Sequence, residues 1–161
     1  MKQFAGLVQS LSRTLDIIAG SCIVATAAIV VINIILRVTV RKPLLGTMDY
    51  VTLLEALTIA LALAYCGLKN GHIAVDLFIQ KLPEESQAII DTLTNIASLI
   101  FWAVSSWYML NYAHTMANSN LMAPTIQMPL YPIIYLIAFG LITLCLVLVL
   151  KISDAVRKVA Q

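Results

Sequence analysis

Four long apolar runs, separated by short stretches that hold most of the charged residues, constrain this chain more than any other feature. The runs cover about residues 15–36, 51–68, 88–112 and 130–150. A helix needs about 20 mostly apolar residues to cross the roughly 30 Å hydrocarbon core of a bilayer, because it rises about 1.5 Å per residue. The pattern therefore predicts an all-α integral membrane protein, a single domain of residues 1–161 with four transmembrane helices.

The composition agrees with this fold class and excludes several kinds of protein. Of the 161 residues, 61% are hydrophobic and 11% are charged, whereas ordinary soluble domains have about 25% charged residues. The net charge of +2 and the lack of a basic tract argue against a nucleic-acid partner. The three cysteines, Cys22, Cys66 and Cys145, each fall inside an apolar run without metal-ligand spacing, so we interpret them as packing residues.

The sequence holds no pattern typical of an enzyme. Phosphate-binding loops, nucleophile elbows and zinc spacings are missing, and we predict no catalytic residues, no metal site and no cofactor. The histidines His72 and His114 raise the alternative of a haem- or quinone-binding membrane anchor of a redox complex. They stand at opposite ends of the third run, too far apart to bind one iron, so a second ligand would have to come from a partner. A small multidrug exporter is a further alternative, but the first run has only Asp16, at its edge.

The distribution of Lys and Arg predicts that both termini lie in the cytoplasm. With four spans, one side of the membrane carries seven basic residues and the other carries three, and basic residues concentrate in cytoplasmic loops. The seven are Lys2, Arg13, Lys69, Lys81, Lys151, Arg157 and Lys158, and the three are Arg37, Arg41 and Lys42.

A short amphipathic segment, residues 72–82, lies between the second and third runs. His72, Asp76 and Gln80 recur every four residues and form a narrow polar stripe on an otherwise apolar helix. The segment is too short to span the bilayer and too apolar to be solvated. We therefore expect an interfacial helix that lies against membrane lipid on the cytoplasmic side.

Polar residues inside the runs are candidates for structural or partner contacts. Glu55 lies about 6 Å by helix rise from the start of the second run at Val51. An acid at the bilayer centre costs about 2.5–3.5 kcal/mol, so we expect an ion pair with a cation of the 37–42 segment, with a proton or ion site as the alternative. The third run has a polar stripe at steps of three and four, which marks a helix contact within the chain or with another subunit. Its members are Asp91, Asn95, Ser98, Trp102 and Ser105.

Two segments resemble a known family. One is Arg37-Val-Thr-Val-Arg-Lys-Pro43-Leu-Leu-Gly-Thr-Met-Asp49 and the other is Gly71-His72-Ile-Ala-Val-Asp76-Leu-Phe-Ile-Gln-Lys-Leu82-Pro83. The second resembles the "HIxVDLL…LP" segment of the small membrane (Q-type) subunit of tripartite ATP-independent periplasmic (TRAP) transporters. The resemblance covers about residues 30 to 145. Gly46 stands where members often have an aromatic residue, and either Asp49 or Glu55 fills the place of their paired acids.

The resemblance implies a function that composition alone does not. Such transporters import organic acids, often carboxylates, across the bacterial inner membrane and are driven by a sodium gradient. A periplasmic binding protein captures the substrate, and a large multi-span permease subunit moves it. The small subunit braces the large one and helps to dock the binding protein, while the substrate and sodium sites belong to the large subunit. We therefore expect this chain to transport nothing alone.

Overall fold

The computed structural model describes residues 2–69, 84–119 and 121–159, with side chains in 6–69, 90, 92–119 and 121–153. The described residues form four α-helices: α1 (Lys2–Thr39), α2 (Thr47–Leu68), α3 (Glu84–Asn118) and α4 (Tyr131–Val159). Each helix contains a stretch long and apolar enough to cross a membrane, which confirms the four long apolar helices predicted from the sequence. The interfacial helix predicted for residues 72–82, with His72 and Asp76, lies outside the described residues.

The helices extend beyond the apolar runs. α1 has 38 residues and α3 has 35, which correspond to about 57 Å and 52 Å at the rise of an α-helix. We expected the third span to end near Tyr112, but α3 continues to Asn118. Its last turns are held by polar contacts: the Thr115 hydroxyl donates to the Asn111 carbonyl at 3.0 Å, and the Asn118 amide lies 3.1 Å from Nδ1 of His114. Hydropathy marks only the apolar part of such a helix.

The four helices pack as an open plate in the order α1–α2–α4–α3. α1 packs on α2, α2 on α4 and α4 on α3, while α1 meets α4 at only a few positions. The buried share of the spanning stretch is 44% in α4 and 22% in α2, but 11% in α1 and 6% in α3. α2 and α4 therefore form the centre of the plate, and α1 and α3 form its two edges.

Small residues bring the two central helices close together. Ala60, Ala64 and Gly67 are all buried and share one face of α2, because they are spaced by four and three residues. On α4, Gly140 lies directly against Ala60: a Cβ atom added to Gly140 would stand 2.6 Å from the Ala60 carbonyl oxygen. In lipid, helices associate through close van der Waals packing of this kind, since lipid tails are as apolar as the helices. The α2–α4 contact is therefore the central joint of the plate.

Larger apolar side chains attach the two edge helices to this joint. Leu15 and Ala19 of α1 form a buried cluster with Leu61 of α2. On the other side, Leu99 and Trp102 of α3 pack against a second cluster, which consists of Ala64, Leu144 and Leu148.

Candidate functional site

Two loops meet around Asp49 at one end of the plate, which we call the loop end. One loop, residues 40–46, joins α1 to α2, and the other includes residues 121–130 before α4. The Asp49 carboxylate accepts hydrogen bonds from the backbone N–H groups of Thr125 at 2.9 Å and Ile126 at 3.3 Å. Asp49 also lies in the first turn of α2, where the helix dipole favours a negative charge. One carboxylate therefore holds the second loop against the start of α2.

Gly46 provides the space that this second loop occupies. Its φ of 77° is left-handed and it is the N-cap residue of α2, a conformation that glycine adopts without a steric penalty. A Cβ atom at Gly46 would overlap the Cγ2 atom of Ile126. The absence of an aromatic side chain at this position thus has a physical reason: Ile126 fills the space in this chain.

Backbone hydrogen bonds give the 121–130 loop a closed shape. The N–H of Ala123 donates to the Met128 carbonyl at 2.9 Å, and the N–H of Gln127 donates to the Ala123 carbonyl at 3.0 Å. Ala123 is buried, and Gln127 has a left-handed φ of 50°. These bonds orient the N–H groups of residues 125 and 126 toward Asp49. Both groups are therefore in position to donate hydrogen bonds to its carboxylate.

Asn33 connects the first loop to α1, and sequence reasoning missed it. Its Oδ1 atom accepts a hydrogen bond from the Leu44 N–H at 2.8 Å, and the Thr47 hydroxyl donates to the Leu44 carbonyl at 2.8 Å. The available signal was an asparagine inside an apolar run, because a polar residue at membrane depth usually has a specific partner. Both loops at the loop end are therefore fixed by side chains of the helices.

The surface of the loop end combines apolar and basic side chains. Leu45 is 82% exposed and Met48 is 79% exposed. Arg37, in the last turn of α1, and the loop residues Arg41 and Lys42 are exposed as well. Exposed apolar groups with polar or charged neighbours are typical of surfaces that bind another protein or the membrane.

Glu55 lies about two turns inside α2. Because α2 begins at Thr47, Glu55 is about 12 Å from the start of the helix by helix rise. It is exposed and lines a groove of about 380 Å³ between α1 and α2, together with Ile23, Thr26, Ala27, Thr58 and Ile59. We call this the Glu55 groove. Thr26, which lines the same groove as Glu55, lies about 16 Å along α1 from Arg37. The expected ion pair between Glu55 and the 37–42 segment is accordingly not present among the described residues.

The polar stripe on α3 contacts this chain's own helices at Trp102. Trp102 packs against the cluster of Ala64, Leu144 and Leu148, and Asn95, Ser98 and Ser105 are half-buried. The side chain of Asp91 lies outside the described residues. On the other side of α3 the exposed residues are large and apolar: Leu93, Ile100, Phe101, Val104, Trp107 and Tyr108. Of the described stripe residues, Trp102 packs within the chain, and the apolar face on the other side of α3 is exposed.

The described residues contain no group of three or more His, Cys, Asp or Glu side chains that could hold a metal ion. His114 is exposed, and its Nδ1 atom is engaged with Asn118. The other candidate haem ligand, His72, lies outside the part of the chain that the structure describes.

Comparison with known proteins identifies the family. A search of curated proteins found no match. The family model described as "Tripartite ATP-independent periplasmic transporters, DctQ component" matches residues 11–158, a range that includes the greater part of all four helices, the loop end and the Glu55 groove. The resemblance inferred from residues 37–49 and 71–83 is thereby confirmed. This chain therefore belongs to the DctQ component family of the tripartite ATP-independent periplasmic transporters and is a membrane subunit of such a transporter.

Proposed function

We propose that this chain is the small, non-catalytic subunit that braces the large permease subunit of a sodium-coupled transporter. In this proposal the transporter imports organic acids of the carboxylate class with the help of a periplasmic binding protein. The chain itself binds neither the substrate nor sodium. Its family membership supports a place in a transporter with several components, and the remaining support comes from the shape of the chain.

The observation that carries the proposal is the open plate. Its centre is filled, because Ala64, Ala138, Leu144 and Val147 are at most 1% exposed. Its edges are uncovered: α1 exposes Ile17, Val24 and Val31, among others, and α3 exposes a similar apolar face. A thin layer of helices with a filled centre and broad apolar faces suits a supporting element in the membrane better than a path for a solute.

We place the chain in the bacterial inner membrane with its loop end on the periplasmic side. The exposed apolar and basic residues of the loop end would then face the periplasmic binding protein, and Asp49 would keep that surface in shape. The 72–82 segment, with its His72 and Asp76 stripe, would lie against lipid at the cytoplasmic face.

Reconstitution tests the supporting role. Liposomes would contain the large permease subunit, this chain, or both, with the binding protein, an inward sodium gradient and a radiolabelled carboxylate substrate. We expect uptake only when all three proteins are present, because neither the plate nor a permease without its brace forms a complete carrier. Replacing sodium with choline should reduce uptake to the level of empty liposomes. Uptake by this chain alone, or full uptake without it, would contradict the proposal.

The proposed orientation is tested separately by reporter fusions. A phosphatase that is active only outside the cytoplasm should be active when fused after Ser119 and inactive when fused after Gln161, because the basic residues divide seven to three between the two sides. A fusion in the 40–46 loop is a matched control and should behave like the one after Ser119, since both positions lie at the loop end. An active fusion after Gln161 would reverse the orientation.

A further inference from the structure

The polar atoms that line the Glu55 groove are all hydrogen-bond acceptors. The Thr26 hydroxyl donates its proton to the Cys22 carbonyl at 2.9 Å, and the Thr58 hydroxyl donates its proton to the Leu54 carbonyl at 2.7 Å. A hydroxyl group has one proton, so each threonine oxygen offers only lone pairs to the groove. In its ionised form, a Glu carboxylate such as that of Glu55 accepts hydrogen bonds and donates none.

The described residues bring no cation into the groove. On α1, the nearest basic residues are Arg13 and Arg37, which lie about 20 Å and 16 Å along the helix from Thr26. Lys69 follows the last residue of α2 and is about 21 Å from Glu55 along the helix axis. Its Nζ atom lies over the Tyr65 ring, 5.8 Å from the ring centre. A donor for the groove would therefore come from outside the described part of this chain.

The position and size of the groove indicate what kind of donor fits. Glu55 stands inside a membrane-spanning stretch and is exposed on the outer surface of the plate, where an unpaired carboxylate is unfavourable. Ile23, Ala27 and Ile59, which line the groove, are apolar and exposed, so a partner helix that covered them would exclude water and strengthen an ion pair with Glu55. Its volume of about 380 Å³ is far larger than the roughly 10–15 Å³ that one water molecule requires. This space suits a long basic side chain that enters from a neighbouring helix.

We propose that the Glu55 groove receives a Lys or Arg side chain from a transmembrane helix of the large permease subunit. The basic group pairs with Glu55 and donates hydrogen bonds to the oxygens of Thr26 and Thr58. The inference rests on the proposed function for the identity of the partner, and it goes further by placing the α1–α2 surface of the plate at the subunit interface.

Assembly of the complex tests this interface. The tagged full chain and the large permease subunit would be expressed together, extracted in mild detergent and recovered through the tag. Glu55→Gln keeps the side-chain size but removes the charge, and we expect at least tenfold less large subunit to be recovered, because one member of a buried ion pair is lost. The amount of the tagged chain in the membrane should not fall, since Glu55 has no ion-pair partner among the described residues. Asp16→Asn removes an acid of α1 outside the groove and should leave recovery unchanged.

Charge exchange identifies the partner residue. Glu55→Lys should abolish recovery of the large subunit. Each Lys and Arg in the membrane helices of the large subunit would then be changed to Glu, one at a time, and combined with Glu55→Lys. We expect one combination to restore recovery to at least half of the wild-type level. Wild-type recovery with Glu55→Gln, or no restoring combination, would overturn the proposal.

Two further conditions separate the basic side chain from other cations. Recovery of the wild-type complex should not change when choline replaces sodium, nor when the proteins are reconstituted in phosphatidylglycerol vesicles that lack amine headgroups. If recovery of the wild-type complex fell under either condition and recovery with Glu55→Gln did not, the groove would be assigned to sodium or to a lipid amine. That result would overturn the proposal. Failure of the wild-type chain to recover the large subunit at all would overturn the proposed function as well, whereas equal recovery by wild type and Glu55→Gln removes only this inference.

Discussion

Replacing Gly140 with leucine is expected to separate α2 from α4 and to destabilise the whole plate. A Cβ atom at Gly140 would stand 2.6 Å from the Ala60 carbonyl oxygen and 2.9 Å from its carbonyl carbon. These are backbone atoms, so the clash is relieved only if one helix moves away from the other. Overpacking of this kind costs about 3 kcal/mol, which corresponds to a fall in Tm of about 6–12 °C for a chain of this size.

The measurement is the Tm of the detergent-solubilised chain. Samples are heated to a series of temperatures, and size-exclusion chromatography measures how much folded protein remains after each. Gly20→Leu is the matched control, because it makes the same substitution in α1 at a position where an added Cβ meets nothing within 4 Å. Both substitutions replace glycine with a better helix former, so helix propensity does not distinguish them. Equal Tm values for Gly140→Leu and Gly20→Leu would show that the α2–α4 contact is not the central joint.

Asp49→Leu is expected to release the 121–130 loop from the start of α2. The substitution leaves the N–H groups of Thr125 and Ile126 without their acceptor. Hydrogen bonds to a charged group are worth about 1.5–3 kcal/mol each, so amide exchange in this loop should become about ten- to a hundredfold faster. Hydrogen–deuterium exchange of peptides that cover residues 121–130 measures the change.

The matched control for this experiment is Thr47→Val. It removes a neighbouring hydroxyl that donates to the Leu44 carbonyl and leaves the Asp49 carboxylate in place, so exchange in residues 121–130 should stay at the wild-type rate. Asp49→Asn keeps one acceptor oxygen and should give an intermediate rate. If Asp49→Leu exchanged no faster than wild type, the backbone bonds within the loop would be sufficient to hold it.

The existence of the four helices was predictable, but their arrangement was not. Long apolar runs reveal helices because a single segment can satisfy all of its own backbone hydrogen bonds in lipid only as a helix. The order α1–α2–α4–α3 leaves no comparable mark, since the side of a membrane helix that faces lipid is as apolar as the side that faces another helix. Gly140 shows the limit: its presence was visible in the sequence, while its contact with Ala60 depends on how the chain folds.

The partners of the acidic residues escaped prediction for related reasons. Asp49 was a candidate from the sequence, but its partners are backbone N–H groups 76 and 77 positions away, and backbone donors have no sequence signature. Glu55 was expected to pair with a cation of the 37–42 segment, but the other residues that line its groove, such as Thr26 and Thr58, are uncharged. In both cases the residue type was informative, and the fold determined its surroundings.

The unequal helix lengths have a consequence for the surrounding lipid. α2 has 22 residues and spans about 33 Å, close to the thickness of the hydrocarbon core. The long edge helix α1 carries exposed apolar side chains at both Leu7 and Val38, which are about 46 Å apart along the helix axis. Transmembrane helices tilt by at most about 40°, so tilt alone does not place this length inside a 30 Å core. The exposed Arg13 and the acid Asp16 lie between these two positions, so the apolar run of about residues 15–36 matches the hydrocarbon core, and the first turns of α1 extend into the headgroup region.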